Sequence, residues 1–267
     1  MTVADSAVVH PTAIVEEGAR LAASVRVGPF CVVGAQASLG EGVTLDAHVC
    51  IAGETEIGPR TRVFPFASLG SEPQDLKFAG ERTRLTIGAD CKIREHVTMN
   101  PGTEGGGGLT SVGDRCLFMM GSHVAHDCRV GSNVIAANNA TLAGHVEVGD
   151  FAVLGGLCAV HQFVRIGDHS MIGGMSGVER DVIPAGTVMG NRAHLAGLNL
   201  TGLKRRGVER EAIHRLRHAY RTVFEGGEGE LIERAQALAA ELPGDGPARA
   251  MVGFILAGSN RRFCLPG

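Results

Sequence analysis

The stretch HVAHDCRVG, residues 123–131, holds the side chains of this chain best suited to chemistry. His123 and His126 stand three apart, and Asp127 follows at once. Histidine titrates near neutrality, so it can take a proton from an attacking hydroxyl. A carboxylate beside it can fix one ring tautomer, and Asp127 is the local candidate. If the hydroxyl attacks a carbonyl, N–H donors are also needed for the developing oxyanion. Gly144 offers a backbone N–H with no side chain in the way. Two other readings compete. Histidines 123, 126, 145 and 161 could hold zinc through three protein ligands and an open position, or they could simply be solvated and hydrogen-bonded.

The elements that carry these residues decide between the readings. Every sixth residue from Val9 is aliphatic, through Val15, Leu21, Val27 and Val33 to Leu69. The register resumes at Ile87 and again at Val112, running through Val124, Val130 and Leu142 to Val178. Four residues after each of these the side chain is small or medium, as at Ala19, Cys31, Ala37, Cys116 and Ala140. Period six is neither the 3.6 of a helix nor the simple alternation of a strand. It fits a short strand and a turn, repeated, with three units closing one coil of eighteen residues. One coil cannot bury its own apolar face, so many must stack, at about 4.8 Å each. The aliphatic residues then fill a prism, and glycine relieves the turns. Residues eighteen apart become neighbours. The segment with His126 and Asp127 lies against Gly144 and His145, and that one against His161 and Gln162. In this coil the histidines occupy different phases, which speaks against a shared metal. Cys31, Cys91, Cys116, Cys128 and Cys158 share the small-residue phase, which reads as packing and not as a nucleophile.

Residues 71–84 and 101–111 break the register. Insertions in a solenoid project as loops and often line its binding surface; the second is so rich in glycine that mobility is expected of it. Residues 1–192 read as the coil and 193–267 as a helical domain. The stretch KRRGVEREAIHRLRHAYRTVFEGG, residues 204–227, reads as one helix: Val208, Ile213, Leu216, Ala219, Tyr220 and Val223 recur at helical spacing, and Gly226 and Gly227 stop it. A second helix, ELIERAQALAAEL, ends at Pro243 and Gly244, and Pro247 opens a third. The helical domain either caps the coil or packs beside it. The formal charge of -3 gives no reason to expect nucleic acid. No apolar run is long enough for stable membrane insertion. With no secretory segment and an odd number of cysteines, a cytoplasmic location is expected.

The periodicity resembles the hexapeptide-repeat acyltransferases, which implies a left-handed parallel β-helix followed here by a small C-terminal α-helical domain. The segments HVAHDC, NNATLAGHV, AVHQFVRIG, GGMSGV and GNRAHLAGLNLTGLKRRG, with the loop SEPQDLKF, narrow the likeness to the UDP-N-acetylglucosamine acyltransferase family. That resemblance implies transfer of a 3-hydroxyacyl chain from acyl carrier protein to the sugar 3-hydroxyl, the first step of lipid A synthesis. It implies His126 as general base, assisted by Asp127, and Gly144 as oxyanion donor. Asp75 and Lys77 would hold the sugar nucleotide. His123, His145, His161 and Gln162 would line the nucleotide and acyl portions. Asn199, Arg205 and Arg206 would meet the sugar nucleotide, and Gly174 would set the depth of the acyl pocket. The family is a homotrimer with sites between subunits. It uses no cofactor, since phosphopantetheine arrives on the carrier protein, and no metal. Arg192 and Thr201 stand where some members carry other residues, which leaves N-acylation of a 3-amino sugar open. A metal-dependent hydratase of the same fold is the remaining rival.

Overall fold

Two-residue strands follow one another six residues apart, and the second side chain of each points inward. Leu21, Val27 and Val33 are buried while Arg20 and Arg26 before them are exposed, as the alternation of a strand requires. The computed structural model describes residues 2–226, 229–242, 244–259 and 261–267. Each strand pairs in parallel with the strand one coil on: Arg129 with Glu147, Ile135 with Val153, Thr141 with Ala159. Three sheets result, of nine, eleven and nine strands. Face A begins at Thr2–Val3, face B at Val8–Val9 and face C at Ile14–Val15. The coil is a three-sided parallel β-helix.

The interior is filled as the periodicity requires, except at the first coil, where Val9 is 37% exposed because, among the described residues, its strand pairs on one side only. Phe118 is the one aromatic residue among the six-fold positions and is completely buried. Its room comes from Ala136, its partner one coil on. A narrow prism pairs a large side chain with a small one. Phe118→Ala is therefore expected to cost about 3–5 kcal/mol, read as a fall in the midpoint of denaturant unfolding with the slope unchanged.

The turns differ from the simple expectation. Most residues in left-handed conformation at the corners are not glycine: Phe30, His48, Asp127, Asn139, His145 and Phe163 all have positive φ. Glycine is required where coils approach each other. A Cβ at Gly58 would lie 2.5 Å from the carbonyl carbon of Gly88 in the next coil.

Both insertions are shorter than their broken register suggests. Arg84–Ile87 and Leu109–Val112 are four-residue strands paired with each other, and Arg84–Ile87 pairs on its other side with Glu54–Ile57. The glycine-rich insertion is tethered to the coil at Thr103, which bonds to Asp127 through its N–H and its hydroxyl, and the short turn Glu104–Gly106 follows. At the far end Gly186–Met189 turns back antiparallel on His194–Leu198, so the last strand of face B runs past residue 192.

The helices are α1 (Leu200–Arg205), α2 (Arg210–Tyr220), α3 (Leu231–Ala239) and α4 (Pro247–Leu256). The apolar spacing from Val208 onward does not give one unbroken helix with the preceding KRR, because Gly207 turns the chain with φ 77°. A wider helical turn, Arg221–Glu225, continues α2 as far as Gly226, which leaves it extended. Gly227 and Pro243, expected to stop helices, lie outside the described residues. Pro247 does open α4. The helical region packs beside the coil. The Arg165 guanidinium of face A lies 4.4 Å from the ring centroid of Phe254 in α4. Asn199 caps α1 and donates to the His169 carbonyl at 2.8 Å, at the edge between faces A and B. No helix among the described residues is long and apolar enough to cross a membrane.

Candidate active site

His126 and Asp127 sit in the turn that joins His123–Val124 of face C to Arg129–Val130 of face A. Both insertions leave the coil at this same edge, between Ser68–Leu69 and Arg84–Ile87 and between Thr98–Met99 and Leu109–Val112. At this edge residues of both insertions therefore meet coil histidines.

Asp127 is a buried carboxylate with every oxygen engaged. Oδ1 accepts from the Thr103 N–H at 2.8 Å, and Oδ2 from the Thr103 hydroxyl at 2.6 Å and from His126 Nδ1 at 2.8 Å. Its own N–H donates to Thr110 Oγ1 at 2.7 Å. A Cβ at Gly106 would overlap this carboxylate, so the insertion must carry glycine there. An ionised carboxylate only accepts. His126 Nδ1 therefore bears the ring proton, and Nε2 keeps its lone pair. The ring is mostly shielded, its side chain 14% exposed.

Gly144 lies under that ring. A Cβ there would stand 2.6 Å from His126 Nε2, so only glycine leaves the imidazole this position. The Gly144 carbonyl accepts from Phe163 N–H, while its own N–H takes no part in the backbone bonds among the described residues. The His145 ring meets His126 edge-on at 5.1 Å between centroids and stacks on Phe163 at 4.4 Å. Burial lowers the pKa of His145, against the opposing pull of Asp127. Burial likewise lowers that of His123, whose Nδ1 is 2.7 Å from Thr98 Oγ1. The Cys128 thiol is pushed up to about 12, chiefly by burial, so the cysteine nearest the site is no nucleophile at neutral pH.

These shifts have a consequence for stability. Burial also lowers the pKa of His169, so three histidines bind protons less readily folded than unfolded. Their contribution is complete above the ordinary histidine value of about 6.5 and is lost as the pH falls below it. Melting temperature is expected to hold between pH 8 and 7 and to fall towards pH 5.5. A His123→Asn chain is expected to show a shallower fall over the same range.

The remaining candidates divide by edge. Asp75 and Lys77 lie in the first insertion, where Asp75 Oδ1 accepts from Lys77 N–H at 3.0 Å, and both charges act on His145. His161 and Gln162 are exposed further along the same edge. An open cavity of about 630 Å³ runs from Gly106, Asp127 and His145 along Arg129, Glu147 and Arg165 to Ser259. Gly174 instead lies between faces B and C, exposed beside Met175. Arg206 lies at the A–B edge, donating to the Phe151 carbonyl at 2.9 Å, and Arg205 is exposed next to it. A single chain does not bring Gly174, Asn199, Arg205 or Arg206 to His126. Thr103, Thr110, Gly106 and Phe163 belong to the site and were not singled out from the sequence. Phe163 stands eighteen residues past His145, so the coil register could have found it.

His126, Asp127 and His145 also form a group whose ligand atoms lie within 4.8 Å of one another. Their donor set does not suit a metal. The 2.8 Å between His126 Nδ1 and Asp127 Oδ2 is a hydrogen bond with no room for an ion. His145 Nε2 is 3.8 Å from the same oxygen, and the other carboxylate oxygen already serves Thr103.

A stacked six-residue coil with a histidine–carboxylate pair and a bare glycine at one edge defines a parallel β-helix acyltransferase of the hexapeptide-repeat class. A family model described as Udp N-acetylglucosamine O-acyltransferase, domain 2, matches residues 181–264. An acyl-[acyl-carrier-protein]–UDP-N-acetylglucosamine O-acyltransferase of Rhizobium johnstonii is 49% identical over 265 residues, 99% of this chain and 97% of its own length. One of Paracoccus denitrificans is 55% identical over 204 residues, 76% of this chain and 77% of its own. The solved UDP-N-acetylglucosamine acyltransferase from Campylobacter jejuni superposes with a TM-score of 0.91 at 39% identity, covering 97% of this chain and 100% of that one. The chain belongs to the acyl-[acyl-carrier-protein]–UDP-N-acetylglucosamine O-acyltransferase family.

Proposed function

We propose that this chain transfers a 3-hydroxyacyl group from acyl carrier protein to the 3-hydroxyl of UDP-N-acetylglucosamine, the first step of lipid A synthesis. The names of its relatives supply donor and acceptor. The observation that carries the chemistry is His126: Asp127 holds the proton on Nδ1, and Nε2 is free beside Gly144. Nε2 takes the proton of the sugar hydroxyl as its oxygen attacks the thioester carbonyl carbon. The Gly144 N–H donates to the oxyanion. The C–S bond then breaks, and the proton on Nε2 passes to the departing thiolate, so no covalent enzyme intermediate forms.

Asp75 and Lys77 hold the sugar nucleotide from the first insertion, and His123, His145, His161 and Gln162 line its bed. Gly174 sets the acyl depth, and Asn199, Arg205 and Arg206 meet the nucleotide. Because those four lie on other edges, the complete site forms between adjacent copies of a homotrimer. The test is transfer by the purified protein with UDP-N-acetylglucosamine and a panel of 3-hydroxyacyl carrier proteins. Formation of 3-O-acyl product, unaffected by a metal chelator, supports the reading. Product only with the 3-amino sugar would shift it to N-acylation, and loss of activity on chelation, restored by zinc, would replace it with metal chemistry.

A further inference from the structure

The C-terminal segment is laid along the last coil. Phe263 bridges in parallel to Asp181, whose N–H donates to the Arg262 carbonyl at 2.9 Å and whose carbonyl accepts from Cys264 N–H at 2.8 Å. This pairing brings Arg261 and Arg262 to the edge between faces C and A. There, with His161, Phe163, Glu179 and Arg180, they line an open cavity of about 620 Å³. Phe163 also walls the cavity that contains Asp127 and His145, so the two adjoin.

Three guanidinium groups against the carboxylate of Glu179 leave this cavity positive, in a chain of formal charge -3. Neighbouring Arg165 is neutralised by Asp181 at 2.8 Å. Among the described residues, Arg180, Arg261 and Arg262 form no such ion pair. Arg261 is nonetheless held in place. Its Nη2 is 2.9 Å from His161 Nδ1, its Nη1 reaches the Glu179 carbonyl at 3.4 Å, and its N–H donates to Ser259 Oγ at 2.9 Å. His161 Nδ1 has two neighbours, the Arg261 guanidinium at 2.9 Å, which only donates, and the Gln162 carbonyl at 3.2 Å, which only accepts; the shorter contact makes Nδ1 the acceptor and leaves the ring hydrogen on Nε2. A planar donor fork, a neutral N–H donor and unpaired positive charge together suit a phosphate ester.

We propose that Arg180, Arg261, Arg262 and His161 form a subsite for a phosphate group of one of the two substrates. The proposal rests on the acyl-transfer reading above. His161 and Arg180 lie roughly two to three coils beyond His126, about 10–14 Å at the usual strand spacing. That is too far for the reacting carbonyl but within range of a phosphate remote from it. Each substrate carries one, as the phosphodiester at the end of the pantetheine arm or the diphosphate of the sugar nucleotide.

The experiment compares native protein with Arg261→Gln and with the surface pair Arg180→Gln/Arg262→Gln, after thermal melts show all three folded. KM is measured for UDP-N-acetylglucosamine, for 3-hydroxyacyl carrier protein and for 3-hydroxyacyl-pantetheine, which lacks the phosphate. A charge-assisted hydrogen bond to phosphate is worth about tenfold in affinity. The expected result is a rise of roughly that size in one KM. If the source is the carrier, its KM rises and that of acyl-pantetheine does not; if the source is the nucleotide, only the UDP-sugar KM rises. Changes below twofold in every KM, or an equal rise with the phosphate-free donor, overturn the subsite. Calorimetric titration with UDP and with phosphopantetheine runs alongside and needs no turnover. Should native protein fail to transfer acyl groups, the catalytic reading falls, while arginine-dependent binding of either ligand still upholds the phosphate subsite and its absence overturns it.

Discussion

His126→Ala is expected to lower kcat by about 10²–10⁴, the range a positioned general base contributes, with the melting temperature nearly unchanged. The ring makes one hydrogen bond, Nδ1 to Asp127, and packs against Gly144 and His145 outside the apolar prism, so its removal leaves the core packing intact. It does leave the Asp127 carboxylate with fewer donors, but Thr103 still supplies two. Alanine also cannot reach the space above Gly144 that Nε2 occupies. Initial rates at saturating UDP-sugar, with KM measured beside kcat, separate this from a binding defect. A loss confined to KM would assign His126 to the substrate bed instead of the reaction.

Asp127→Asn is expected to reduce both activity and stability. Asparagine presents one oxygen and one NH2 where the native carboxylate accepts three hydrogen bonds. Whichever way the amide turns, a donor faces Thr103 or His126. If the oxygen serves Thr103, the NH2 faces His126 and favours the tautomer with the lone pair on Nδ1, which leaves Nε2 protonated and unable to act as base. If the oxygen serves His126, the Thr103 N–H is left unsatisfied in a buried place. A buried unmade hydrogen bond costs about 1–3 kcal/mol. The variant is expected to lose roughly two orders of magnitude in kcat and to unfold at lower denaturant concentration. The stability loss should follow the second insertion: hydrogen exchange at residues 103–107 is expected to quicken, since Asp127 fastens the loop at Thr103, while Gly102 and Gly108 are held separately by Arg84. Unchanged exchange there would mean that the loop is held by other contacts.

The coil and the core of the site were legible for one reason, that a period of six converts sequence separation directly into position. Once Leu21, Val27 and Val33 fix the phase, Gly144 must lie one coil from His126, and it does. The same arithmetic reaches Phe163 from His145. It fails across the insertions, where the register is lost, and so Thr103 and Gly106 were invisible as partners of Asp127. The tether of the glycine-rich loop at Thr103 was hidden for the same reason, because composition carries no information about a carboxylate waiting across the gap. Helical spacing from Val208 to Val223 was read correctly as amphipathic, but it did not show that Gly207 separates α1 from α2. Gly174, Asn199 and Arg206 were placed by resemblance alone, and within one chain the fold gives them other edges.

The most direct measurement is the pH dependence of kcat/KM for acyl transfer, native against His126→Ala. With His126 as general base, native kcat/KM falls with acid along a limb of slope one, and the variant's residual activity lacks that limb. An identical acid limb in the variant would contradict the account, since the proton governing the rate would then belong to another group.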